Sequence, residues 1–233
     1  MKERGNVWLK LLDRCIGIPC VALLGIFRRR RRLPDDIRII GLFKEVSMGD
    51  TILLAGCLRD LRKANPHARI ILYTGVSNRS TAELLPCVDE ILPVPVTNPW
   101  LGLPAIRQRH VDVLFDFGQW SRINALYSWA ARAQYTVGFR TPGQYRHYLY
   151  DQAVDHRADQ HETNNYKDII RTIGIEANST LGIDADPGAS PVRGRYVVFH
   201  PWPSGMLSHL REWSPERWVE LSKLVRARGY QVV

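Results

Sequence analysis

The chain has 233 residues, 45% of them hydrophobic, which is enough apolar material for a real core and excludes wholesale disorder. Its net charge of +9 would suit a nucleic-acid binder, but nine basic and two acidic residues fall in the first 32, so the remainder is close to balanced. A basic stripe spread over a folded surface is therefore missing, and nucleic acid is not an expected partner. Cys15, Cys20, Cys57 and Cys87 form no C-x-x-C pair and no Cys/His cluster with zinc spacing, which fits reduced thiols in a cytoplasmic protein.

Residues 1–36 read as a leader. Its stretch 16–27 (I-G-I-P-C-V-A-L-L-G-I-F) carries no charge and is followed at once by five arginines, 28–32. It is too short to cross a bilayer, which needs about 20 apolar residues. A secretory signal would place its charges before the apolar run, not after it. The expectation is a segment, residues 1–33, lying in a membrane interface with its arginines on anionic headgroups. The other reading is a helix packed on the protein's own core, disfavoured because five adjacent arginines suit no buried site.

From residue 37 the pattern becomes regular. Strands are expected over 38–43, 69–73, 90–94, 111–117 and 135–138, and helices over 50–64, 121–133 and 162–173, the last stopped by Gly174. Strand and helix alternating at this spacing imply a mostly parallel sheet covered on both faces, a Rossmann-like α/β domain over 37–174. The most informative stretch is 37–50, I-R-I-I-G-L-F-K-E-V-S-M-G-D. A buried strand there breaks into a small polar turn and feeds a helix, the place where open α/β sheets bind ligands.

Residues 175–194 gather Gly, Pro, Ser and Asp and read as a linker. A second unit, 195–233, opens with a strand over 196–200, a long loop, a helix over 215–228 and the start of another strand over 230–233. One strand, one helix and half a strand cannot bury a core, so this unit is expected to be incomplete. Trp213 and Trp218 are expected in whatever core it has.

Three stretches together resemble the family 9 glycosyltransferases, the lipopolysaccharide heptosyltransferases. They are K-E-V-S-M-G-D-T at 44–51; V-D-V-L-F-D-F through R-I-N-A-L to V-G-F-R, 111–140; and Y-V-V-F-H-P-W-P-S with R-E-W-S-P-E-R-W, 196–218. The resemblance implies a GT-B architecture: one complete Rossmann-like domain on the acceptor side and the beginning of a second that binds the nucleotide-sugar. It implies inverting transfer of heptose, or a related sugar, from an ADP-activated donor to the lipopolysaccharide inner core. That transfer would need neither metal nor cofactor and would take place peripherally on the inner face of the cytoplasmic membrane. By the same resemblance Asp50 is the general base, Lys44, Ser47, Met48 and Gly49 bind the acceptor, a lipid-linked glycan, and Ser204, Gly205 and Arg211 hold the donor phosphates. Trp202-Pro203 stand where the family has Gly-Ala, and the later donor-site motifs of the family are not in this sequence.

Read from the residues alone, other roles stay open. Asp50 could be a first-turn acid starting a helix, Lys44 a strand-end lysine reaching solvent, and Arg211 a partner of Glu212 or Glu216. Asp184-Ala185-Asp186 reads as linker acid, not a metal-binding D-x-D, and His147, His156 and His161 lack ligand spacing. The alternative to an enzyme is a truncated, non-catalytic remnant that binds membrane or lipid-linked glycan.

Overall fold

A computed structural model describes residues 11, 13–183, 188–203 and 210–233. The chain divides into two units, Leu12–Ala185 and a smaller one that includes Asp186–Val233. In the larger unit six strands, β1 (Ile39–Lys44), β2 (Arg69–Thr74), β3 (Glu90–Pro93), β4 (Val111–Asp116), β5 (Ala133–Arg140) and β6 (Gln152–Asp155), lie in the order β3-β2-β1-β4-β5-β6. Every neighbouring pair is parallel, with Leu42 of β1 level with Leu72 on one side and Phe115 on the other. This is the doubly wound Rossmann order, and the strand direction of travel reverses between β1 and β4.

Alternation along the strands sends side chains to two cores. Ile40, Leu42, Ile70, Leu72, Val113 and Phe115 share one cluster with Leu54, Leu58 and Leu61 of α3 (Leu54–Ala64) and with Tyr166, Ile169 and Ile170 of α7 (Glu162–Arg171). Phe43, Ile71, Tyr73 and Leu114 form the other, with Ile106 of α5 (Pro99–Ile106) and Tyr127 of α6 (Arg122–Ala130). Each fully buried Leu or Phe contributes about 1.5–3 kcal/mol. The three leucines of α3 recur at four and three residues, one face of a helix, while Arg62 and Lys63 occupy its last turn, where the helix dipole favours cations. The helix expected over 50–64 is two: α2 (Met48–Ile52) and then α3.

Short pieces complete the unit: α1 (Gly17–Ile26), α4 (Arg79–Ala82) and a 3₁₀ turn, Arg146–Leu149. Among the described residues no helix is long and apolar enough to cross a membrane. The leader's helix α1 packs one face on the domain, with Val21 beside Ala125, Leu149 and Tyr150. Two carboxylates tie this segment down. Asp13 Oδ1 accepts the backbone N–H groups of Arg122 and Ile123 (2.9 and 3.2 Å), capping α6 from outside its own sequence, and its Oδ2 accepts from Arg122 Nη1 (2.8 Å). Such a cap contributes on the order of 1 kcal/mol. Asp151 accepts from Arg28 Nη2 (2.7 Å), Arg31 Nη2 (2.9 Å), the Arg31 backbone (2.9 Å) and Thr136 N (2.8 Å). Burial alone would raise its carboxyl, but the bonds from Arg31 and the charge of Arg28 hold it below the usual carboxylate range. The premise that no arginine of the run can be buried is thus overturned at Arg28, whose side chain is only 7% exposed, because a buried carboxylate waits for it.

In the smaller unit β7 (Tyr196–Val197) and β8 (Gln231–Val232) pair in parallel beside α8 (Pro215–Ala227). Trp218 meets Phe199 (5.1 Å between ring centres) and stands edge-on to Trp213 (5.5 Å, 90°). The expectation that both tryptophans are core is corrected. Trp213 is exposed and Trp218 only half-buried, because two two-residue strands and one helix, none of whose residues is buried, cannot enclose an indole.

Candidate active site

The carboxyl ends of β1 and β4 meet at the point where the strand order reverses. β1 ends in Lys44, whose side chain is buried, and the chain then surfaces: Val46, Ser47, Met48 and Gly49 are all exposed. Ser47 holds a left-handed φ of 73°, rare for a residue with a side chain. It is the N-cap of α2, its Oγ accepting from Asp50 N (3.4 Å) and its carbonyl from Thr51 N (3.0 Å) and Thr51 Oγ1 (2.7 Å). A Cβ added to Gly49 would meet none of the described residues within 4 Å.

Ser47 is the cap, and Asp50 stands in the first turn of α2, the helix-starting position that the residues alone also allowed. Its carboxylate, 37% exposed, takes Lys44 Nζ at 3.5 Å, and the ammonium lies 5.7 Å from the centre of the Tyr166 ring. Tyr166 is buried and its hydroxyl has no hydrogen-bond partner among the described residues. Burial, reinforced by the negative charges of Asp50 and Glu162, pushes that phenol far above its ordinary range, so it stays neutral. The lysine is therefore fully enclosed, and the acid that faces it is open to solvent on its other side.

A buried asparagine braces the loop. Asn78 Nδ2 donates to Lys44 O (2.9 Å) and Thr51 Oγ1 (2.8 Å), and its Oδ1 accepts from Gly75 N (2.9 Å). Gly75 is needed where it sits: a Cβ there would fall 1.9 Å from Glu45 O. Glu45 itself is buried and its Oε2 has no partner among the described residues; burial raises its carboxyl and the Lys44 charge only partly offsets this.

At the end of β4, Asp116 has no exposed surface. Its Oδ2 accepts from Tyr150 Oη (2.6 Å), Ser128 Oγ (3.0 Å) and Arg146 Nη2 (3.0 Å), its Oδ1 from Gly118 N (2.9 Å), and Arg146 Nη1 donates to Gly118 O. This acid is saturated.

The structure therefore brings Lys44, Ser47, Met48, Gly49 and Asp50 into one loop. Arg211 is exposed in the smaller unit, ahead of α8, while Ser204 and Gly205 lie outside the described residues, as do Asp184 and Asp186. His161 caps α7, its Nδ1 accepting from Thr163 N (3.2 Å), and His156 Nε2 meets Glu162 at 2.8 Å. Sequence reasoning missed Asn78, Glu45 and Tyr166. Asn78 follows a strand in a Ser-Asn turn, a weak signal. Tyr166, three and four residues before Ile169 and Ile170, reads as ordinary core.

No family model and no curated protein matches this chain. Solved structures do. Heptosyltransferase WaaC of E. coli, with ADP, has a TM-score of 0.69 at 17% identity over 83% of this chain and 66% of its own. A family 9 glycosyl transferase from Veillonella parvula gives 0.67 at 20% identity, covering 88% of this chain and 63% of that one. ADP-heptose lipopolysaccharide heptosyltransferase II of E. coli gives 0.62 at 17% identity over 84% and 63%. The chain thus spans about two thirds of the length of the structures it resembles. At these identities the likeness is one of fold, and the fold of this chain is the Rossmann-like α/β fold of the GT-B heptosyltransferases.

Proposed function

We propose that this chain is the acceptor-side part of an inverting glycosyltransferase that moves heptose, or a related sugar, from an ADP-activated donor to a lipid-linked inner-core glycan at the cytoplasmic membrane face. The observation that carries the proposal is the Asp50 carboxylate, half-open to solvent and held by one buried cation. Inverting transfer is a single displacement in which a base removes the acceptor hydroxyl's proton while opposing donors neutralise the departing diphosphate. Asp50 accepts that proton. Lys44 fixes the carboxylate's position and adds positive charge where an acidic acceptor approaches, and Ser47, Met48 and Gly49 supply the exposed edge against which the sugar rests. The donor assignment draws on the solved fold-mates, which include E. coli WaaC with ADP and with ADP-2-deoxy-2-fluoro heptose. Arg211, with Ser204 and Gly205, would hold the donor diphosphate.

The test is transfer from ADP-heptose to a deacylated inner-core acceptor, wild type against Asp50→Asn. Turnover abolished or sharply reduced in the variant supports the role, and turnover like wild type removes it. A second reading, a non-catalytic module that binds lipid-linked glycan, is favoured by the smaller unit, where α8 buries none of its residues. Saturable ADP-heptose binding by the 233-residue chain would count against it.

A further inference from the structure

A helix that is apolar all round is normally enclosed on all sides. α1 is apolar all round, and among the described residues the protein covers one side only. Gly17, Val21 and Leu24, spaced four and three residues apart, face the domain. Leu23 and Ile26, with Phe27 just beyond the helix, are exposed, Ile26 and Phe27 by 77% and 76%.

The exposed stripe does not stop at the helix. Gly25 lies directly against Tyr148, where an added Cβ would approach Tyr148 Cβ to 2.7 Å, and Tyr148 stacks on Tyr145 with ring centres 6.3 Å apart and planes 8° from parallel. Both tyrosines are exposed, and such rings, apolar in body and polar at the tip, suit the boundary between oil and water. The five arginines that follow split into two sets. Arg28 and Arg31 are consumed by Asp151, which fixes the direction in which the run leaves the helix. Arg29, Arg30 and Arg32 are exposed and have no ion-pair partner among the described residues.

The geometry points to a membrane-docking face formed by the outer side of α1, the Tyr145–Tyr148 stack and Arg29, Arg30 and Arg32, fitted to an anionic lipid bilayer. It deepens the membrane location proposed above but does not rest on the transfer reaction. The face is composite and rigid, because Asp13 and Asp151 anchor the leader to the domain. The apolar stripe enters the acyl boundary while the three free arginines meet headgroup phosphates. Charge argues against a second copy of the chain as the occupant. A two-fold interface sets the same patch against itself and would bring the three arginines of each copy toward their like-charged counterparts.

Flotation of the whole chain with vesicles tests this. Vesicles of phosphatidylglycerol and phosphatidylethanolamine should carry the protein, phosphatidylcholine vesicles should carry far less, and added salt should weaken the binding. Arg29→Gln/Arg30→Gln/Arg32→Gln should lose roughly fivefold per arginine, on the order of a hundredfold in all. Ile26→Ser/Phe27→Ser should lose binding at every salt concentration, with an unchanged melting temperature because neither side chain is buried. Wild-type binding in either variant, equal binding to neutral vesicles, or a dimer in light scattering that Phe27→Ser dissolves would overturn the proposal. ADP-heptose binding is measured separately without vesicles, so failure of the docking face is distinguishable from failure of the transfer reading.

Discussion

Two acid–base pairs sit at the carboxyl ends of neighbouring strands and behave as opposites. Asp116 at the end of β4 is enclosed, with four donors on its two oxygens, Arg146 among them. Asp50, past the end of β1, has one cation at 3.5 Å and open water on its far side. A carboxylate whose lone pairs are all engaged is a structural rivet, and removing its partner leaves an uncompensated buried charge. A carboxylate held on one side and free on the other has capacity for a ligand's proton. The difference lies in how many donors the fold aims at each acid, not in the residue type.

The contrast can be broken at its strongest point first. Arg146→Met should destabilise the larger unit by about 3–5 kcal/mol in urea unfolding; a loss below 1 kcal/mol would mean Asp116 is not the rivet described. Asp50→Asn should do the reverse. Turnover should fall on the order of 10²- to 10⁴-fold, with stability changed by less than about 1 kcal/mol, because the amide oxygen still faces Lys44 and the site is part-exposed. Asn78→Ala lies between the two: three hydrogen bonds vanish, Lys44 O and Thr51 Oγ1 lose a donor, and the expected loss is about 1–3 kcal/mol, with reduced turnover as the loop slackens. Unchanged turnover there would show that the brace serves the fold alone.

The smallest effect is Glu45→Gln, and it depends on pH. Burial raises the folded carboxyl above its unfolded value, so the folded state holds that proton to higher pH. Wild type and variant should melt together below the ordinary glutamate range. As pH climbs through and above that range the wild type must carry a cost that glutamine never meets, so the variant should become the more stable of the two. Parallel melting curves from acid to neutral pH would contradict this.

How much of this is legible in sequence follows from what each residue answers to. β1, β2, β4 and β5 are covered on both faces, so their near-continuous apolar runs mark them. The edge strand β6, Q-A-V-D, is short and only half-buried, and carries no such mark. α5 begins at Asn-Pro and holds Pro104 within it, which hides a helix. The loop holding Lys44 and Asp50 was readable because strand, turn and helix are consecutive. Asn78 and Tyr166 reach the same place from 34 and 122 residues beyond Lys44, and nothing local announces it. The leader's apolar run was equally plain, but protein core and lipid reward the same residues, so only the fold could divide its two sides.

The vacancy beside Gly49 has a consequence of its own. None of the described residues would touch a methyl group there, and a helix start tolerates alanine, so bare stability has no use for the smaller residue. Gly49→Ala should melt no lower than the parent. If it also stops admitting a sugar, the missing side chain is space the protein keeps for a guest, and thermal resistance has been left unclaimed to keep the doorway clear.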